Sequence, residues 1–256
     1  MHYLYGFILS VVVAGIAYKK RSLQKSGFVA AIIIGTLLYG FTNAKMYILL
    51  MVFFISSSII TKLKRVTHES KGRKAIQVVA NASAALIFSF LYMKTLNHMY
   101  LVIATIGIAA ANADTWASEI GRFSKKDNRS ILTFKKIQKG ESGGITLLGI
   151  IASLCGSILI AVFYVLLYSI EQQFHLSLFI NSLWIVLGGF IGSIIDSYLG
   201  ILIQEKYEHP KTKQTVEKVL SRQSYTLKSG IKYVNNDVVN FISTLLASTI
   251  FYLYLL

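Results

Sequence analysis

The chain has 256 residues, 54% of them hydrophobic and only 14% charged, with one proline and a formal net charge of +15. Apolar runs separated by short basic segments exclude a water-soluble globular domain, and the lack of period-two alternation excludes an outer-membrane barrel. What remains is an all-α, polytopic transmembrane helical bundle, because a lipid-exposed backbone must satisfy its own hydrogen bonds.

About eight spans are predicted, each near the roughly 20 residues that cross the hydrocarbon. They cover residues 3–18, 28–42, 46–63, 75–93, 99–116, 145–168, 183–204 and 238–256, the first two being short. Residues 1–256 then form a single integral membrane domain, with peripheral spans over 1–63 and a motif-bearing core over 72–240. Span one has no basic residue before its apolar run and Lys19-Lys20-Arg21 after it, the reverse of a signal peptide.

The basic residues are sorted by loop. Four follow span one, six follow span three, seven follow span five and seven follow span seven, leaving only Lys45 and Lys94 for the other side. The positive-inside rule places those four loops in the cytoplasm and both termini outside. The charge is thereby explained without a nucleic-acid partner. Cys155 lies mid-span and has no partner for a disulfide, and the five histidines, including His68 in the loop after span three, lack metal-ligand spacing.

Span four carries Arg73, Gln77 and Asn81 at successive i+4 positions, with Lys74 beside them, so a polar stripe runs down one face. Such a stripe either hydrogen-bonds to neighbouring helices or holds a ligand. Span five runs inward and ends in Asn112-Ala-Asp114-Thr115-Trp116-Ala-Ser118-Glu119. Ionisable groups at the membrane boundary are costly unless paired, hydrated or coordinated. Asp114 and Glu119 are roughly 140° apart on an ideal helix. Either the helix breaks between them or they serve different partners; pairing with cations of the next loop is the structural alternative.

That loop closes on Lys139-Gly140-Glu141-Ser142-Gly143-Gly144, directly before span six. A glycine-rich turn opening a helix offers backbone N–H groups and a positive dipole end to an anion such as phosphate. Span seven has Gly188, Gly192, Asp196 and Gly200 on an i+4 stripe. The glycines allow close helix approach, and Asp196 reads as a ligand facing a cavity. Span eight opens with Asn235-Asn236-Asp237 and carries Asn240 one turn in; capping accounts equally well for Asn235 and Asn236, and Asn240 lies too deep to cap. Three aspartates, a glutamate, amides, a glycine turn and many cations thus gather at one end. Mg²⁺ takes one or two carboxylates plus waters and phosphate oxygens, and phosphoryl transfer relies on positioning and charge neutralisation.

These motifs resemble an integral membrane family, formerly a domain of unknown function, that includes the plant phytyl phosphate kinase. The likeness runs from Gly72-Arg73-Lys74 and Gln77 to Asn81, through Ala113 to Gly121, Gly140 to Gly144 and Asp196 to Gly200, to Asn235 to Asn240. Glu141 departs from the family pattern, in which a small hydroxyl residue follows the turn's first glycine. The resemblance implies a multi-pass kinase of a bacterial cell membrane, converting an isoprenoid monophosphate to its diphosphate with CTP or ATP and Mg²⁺ at the cytoplasmic face. Asp114, Glu119 and Asp196 would be catalytic and metal-binding. Lys139, Gly140, Ser142, Gly143 and Gly144 would hold nucleotide phosphates, with Arg73 and Lys74 as further phosphate contacts. Gln77, Asn81, Asn112, Ser118, Asn236, Asp237 and Asn240 would bind substrate. A cytidylyltransferase acting on a lipid phosphate and a transporter or lipid flippase are the alternative readings, and the oligomeric state is left open.

Overall fold

The computed structural model describes all residues except 64–71, 173–174, 211, 213, 218, 220–224 and 256. The loop residues Lys64, Arg65, His68, Lys71, Lys211, Lys213, Lys218 and Arg222 therefore lie outside the described residues. Eight helices form among the rest: α1 His2–Lys19, α2 Lys25–Phe41, α3 Ala44–Leu63, α4 Ala75–Thr95, α5 Met99–Gly121, α6 Leu147–Gln172, α7 Leu176–Leu202 and α8 Asn236–Leu255. Seven are long and apolar enough to cross a membrane; α2, at 17 residues, is shorter. The polytopic helical architecture is as the composition predicts. Two boundaries differ most: α7 begins seven residues earlier than expected, and α5 continues unbroken past Trp116 to Gly121.

Helix α5 is the axis of the bundle. Every residue from Leu101 to Ala113 is buried, and α3, α4, α6, α7 and α8 all pack on it. Its small residues permit this, since Ala104, Gly107, Ala109, Ala110 and Ala111 let neighbouring backbones approach. On α7, a Cβ at Gly188 would strike Ile106, and one at Gly192 would meet Ala110 Cβ at 2.5 Å. The α7 glycine stripe is thus a packing surface against α5. Helix α3 also belongs to the core through Met46, Leu49 and Phe53.

The basic connectors lie on one side. Residues 22–24, between α1 and α2, bond to the chain before α4: Arg73 N donates to Ser22 O (2.9 Å) and Gln24 N to Arg73 O (3.0 Å). Between α5 and α6, β1 (Arg129–Ser130) pairs antiparallel with β2 (Gly144–Ile145). Between α7 and α8, β3 (Lys206–Glu208) lies between β4 (Thr215–Val216) and β5 (Thr226–Ser229). Lys206 Nζ joins those two connectors, donating to Ser142 O at 2.8 Å and pairing with Glu141 at 3.2 Å.

Candidate functional site at the basic face

Helices α5 and α7 share a register that fixes the site. Gly188 lies on Ile106 and Gly192 on Ala110, so the two helices advance in parallel. One turn further, four residues along each helix, come Asp114 and Asp196, whose carboxyls reach hydrogen-bonding range of each other. Two facing carboxyls carry either one negative charge with a shared proton or two with a cation between them. Asp196 is 8% exposed. Its Oδ2 accepts from Ser243 Oγ of α8 at 2.8 Å, and Asn240, with its NH₂ turned to the carboxylate, donates to the same oxygen at 3.1 Å. Asn240 also lies 3.3 Å from Asn81 Oδ1, which brings α4 to the same place.

Glu119 lies five residues beyond Asp114 on the unbroken α5. Arg73 enters from before α4, donates to Ser57 Oγ at 2.8 Å and lies over the rings of Phe53 and Phe54. Burial pulls its guanidinium down to about 10, and the nearby Glu119 carboxylate works against that shift. Among the described residues, no three His, Cys, Asp or Glu side chains gather as a metal site. Of the three expected carboxylates, Asp114 and Asp196 face one another, and Glu119 lies within electrostatic reach of both Asp114 and Arg73. A pair of carboxylates, the second held by a hydroxyl and an amide N–H, fits Mg²⁺, which takes its other ligands from water and phosphate.

The glycine-rich turn lies farther along α7. A Cβ at Gly143 would meet Ile201 Cβ at 2.4 Å, its φ is +79°, and Gly200 lies against Ser142. The turn does hold an anion, but one of the chain's own. Glu217 Oε1 accepts from Ser142 N at 2.6 Å, and its Oε2 accepts from Ser142 Oγ at 2.8 Å and Gln204 Nε2 at 3.0 Å. Glu141, the departure from the family pattern, pairs with the buried Lys206. Lys139 is exposed and donates from Nζ to Ser124 O at 2.9 Å, while Gly140 (φ +84°) has open space around it.

Several candidates have structural duties. Asn112 is fully buried, accepts from Ser56 Oγ (3.0 Å) and donates to Gly156 O (2.8 Å), tying α3, α5 and α6 together. Ser118 is exposed and bonds back to Thr115 O. Gln77 Oε1 accepts from Lys74 N at 3.0 Å in a capping box, with Lys74 itself exposed. Asn235 is the α8 cap, its Oδ1 accepting from the N–H groups of Asp237 and Val238. Asn236 is exposed, and its backbone carbonyl accepts from the turned Asn240 NH₂ at 3.1 Å; Asp237 lies in the first turn. Sequence reasoning missed Glu217, Lys206 and Ser243. A buried Lys206 was signalled only by its place directly after Gln204-Glu205, and a serine in an apolar helix gives no sign of what it faces. A separate basic cavity of about 470 Å³, lined by Lys125, Lys126, Arg129 and Phe134, includes none of the expected residues.

The fold and this site define a polytopic helical membrane protein with a carboxylate pair and an anion-holding turn at its basic face. The chain belongs to the integral membrane protein family DUF92, whose model matches residues 8–248 and so includes most of the first span. Protein PGR of Arabidopsis thaliana is 31% identical over 274 residues, covering 96% of this chain and 93% of the relative. The uncharacterised membrane protein MJ0933 of Methanocaldococcus jannaschii is 32% identical, covering 79% and 84%. Protein VTE6, chloroplastic, of Arabidopsis thaliana is 24% identical, covering 94% and 68%. No solved structure matches. Plant and archaeal relatives, one of them chloroplastic by name, do not assign the chain to a bacterial cell membrane.

Proposed function

We propose that the chain is a kinase that transfers a phosphoryl group from a nucleoside triphosphate to an isoprenoid monophosphate at the membrane surface. The observation that carries this reading is the meeting of Asp114 and Asp196 beside amides from α4 and α8, one turn along α7 from the turn that cradles Glu217. An oxygen of the acceptor phosphate attacks the γ-phosphorus, the bond from that phosphorus to the β–γ bridging oxygen breaks, and a prenyl diphosphate and a nucleoside diphosphate leave. Mg²⁺ bound by Asp114 and Asp196 supplies charge neutralisation of the phosphates. The chain's own residues position them. Arg73, with Asn81 and Asn240, holds the acceptor phosphate, and the Ser142 to Gly144 turn takes the nucleotide phosphates in place of the Glu217 carboxylate. The likeness of the motifs to the family of the plant phytyl phosphate kinase supports the same chemistry. CTP and ATP both suit a turn that contacts only phosphate, and the cytoplasm is the face that supplies them.

A flippase would need polar groups continuing to the far side, whereas α5 from Leu101 to Ile108 is buried and apolar apart from Thr105, which bonds its own helix. The test is direct. Purified protein in lipid nanodiscs is given geranylgeranyl monophosphate, Mg²⁺ and each common nucleoside triphosphate. Prenyl diphosphate and a nucleoside diphosphate are expected; release of pyrophosphate would mark a nucleotidyl transfer and overturn the kinase reading.

A further inference from the structure

The cavity of about 470 Å³ beside the α5–α6 connector takes no part in the site above. Its volume falls in the range, roughly 300–1,000 Å³, of pockets that hold a small ligand. One side is cationic and the other apolar. Lys125, Lys126 and Arg129 stand on the connector, and Leu147 and Ile150 face them from the first turn of α6. Asp127, the acid of the lining, is already paired with Lys136 at 2.8 Å. Neither the Lys125 nor the Lys126 ammonium group pairs with a carboxylate among the described residues. Phe134 forms part of the rim, with its backbone at φ +55°, a region that bulky side chains rarely adopt. Two hydrogen bonds keep it there: Phe134 N donates to Ser130 O at 2.9 Å, and Phe134 O accepts from Arg129 Nη1 at 3.0 Å. The ring is 62% exposed.

Helix α6 is apolar enough to cross a membrane from Leu147 onward, so the cavity lies where lipid headgroups meet the span. Aromatic and cationic side chains gather at that depth. Leu147, Ile151, Leu154 and Ile158, exposed and at helical spacing, continue the apolar side along α6. A free phosphate or a nucleotide would leave that apolar side uncovered, and a zwitterionic lipid brings a cation of its own to the lysines. Charge and apolar surface are both matched by a phosphate whose attached chains leave along the helix. We propose that the cavity binds the headgroup of an anionic phospholipid, its phosphate at Lys125, Lys126 and Arg129 and its acyl chains along α6. The site is independent of the kinase reading, because no residue used there lines the cavity.

Native mass spectrometry of protein released from nanodiscs of mixed phosphatidylcholine and phosphatidylglycerol reads which lipid stays bound. Phosphatidylglycerol is expected to be retained in preference. Lys125→Gln/Lys126→Gln should reduce that retention about tenfold or more, each lysine at a membrane surface being worth several-fold. Phe134→Gly, which suits the positive φ and keeps the turn, should reduce it several-fold as well. Lys19→Gln/Lys20→Gln removes the same charge from another basic connector and should change it less than about twofold. Thermal unfolding of each variant in phosphatidylcholine alone should match wild type. No preference in the wild type, or equal losses from the two double variants, would mean general surface attraction at most and overturn the proposal. Displacement of phosphatidylglycerol by ATP or by geranylgeranyl monophosphate would place the cavity on a substrate path and overturn it too. Loss of lipid retention with diphosphate formation intact leaves the kinase reading untouched; retention without diphosphate formation sinks that reading and keeps the lipid site.

Discussion

Asp114 and Asp196 meet carboxyl to carboxyl, with Ser243 and Asn240 holding the second of them in place. Asparagine at either position keeps the shape and removes a charge, so Asp114→Asn and Asp196→Asn should each lower kcat/KM by about 100-fold or more while the protein still extracts as a folded species. Steady-state kinetics beside thermal unfolding in detergent separates the two effects. Asn112 predicts the opposite pattern. Asn112→Ala leaves the Gly156 carbonyl without its side-chain donor and removes the acceptor of Ser56, and should cost about 1–3 kcal/mol of stability with little loss of activity per folded molecule. The sequence makes the cluster from Asn112 to Glu119 conspicuous, because polar groups in lipid are costly, but not the division of labour within it. Asn112 and Asp114 are two residues apart and so about 200° apart around the helix; which neighbour each faces depends on packing that no local pattern encodes.

At the scale of the elements, the carboxylate pair is a consequence of glycines. Gly192 lets α7 lie against Ala110, and the shared four-residue step then sets Asp196 opposite Asp114. Gly192→Val should push the helices apart, cost about 1–3 kcal/mol by overpacking, and lower kcat more than it raises KM, because the carboxylates are displaced without removal of any substrate contact. A loss of stability with kcat unchanged would contradict this. The glycine-rich turn carries its own prediction. Glu217 occupies the Ser142 donors, and a nucleotide phosphate must displace it, so Glu217→Gln should lower the KM for nucleotide several-fold. A rise in KM would mean that Glu217 assists nucleotide binding instead of competing with it. The turn and its anion affinity are legible from glycine spacing; its occupant, 75 residues away in sequence, is not.

Across the whole molecule, the described parts of the four basic connectors are linked in pairs, by Arg73 to Ser22 and by Lys206 to Ser142. The alternation of charge predicts that all four share a side, since each crossing of the bilayer exchanges sides. In a Cys155→Ser background, Lys126→Cys and Asn97→Cys should be labelled by a membrane-impermeant thiol reagent from opposite sides; labelling of both from one side contradicts the topology. What the charge pattern does not reveal is that the first three helices reach the same end of the bundle, through Ser57 on α3 and residues 22–24 between α1 and α2, both bonded to Arg73. Their motifs are hydrophobic only, and such contacts show themselves only when the helices are assembled.

The central claim is that the Asp114–Asp196 pair serves phosphoryl transfer to an isoprenoid phosphate. Mass spectrometry of the products formed from a prenyl monophosphate and nucleoside triphosphate, by membranes carrying the chain and by membranes carrying Asp114→Asn at equal abundance, tests it most directly. The account predicts prenyl diphosphate from the first and almost none from the second. Equal amounts from both, or none from either with any nucleotide, would contradict it.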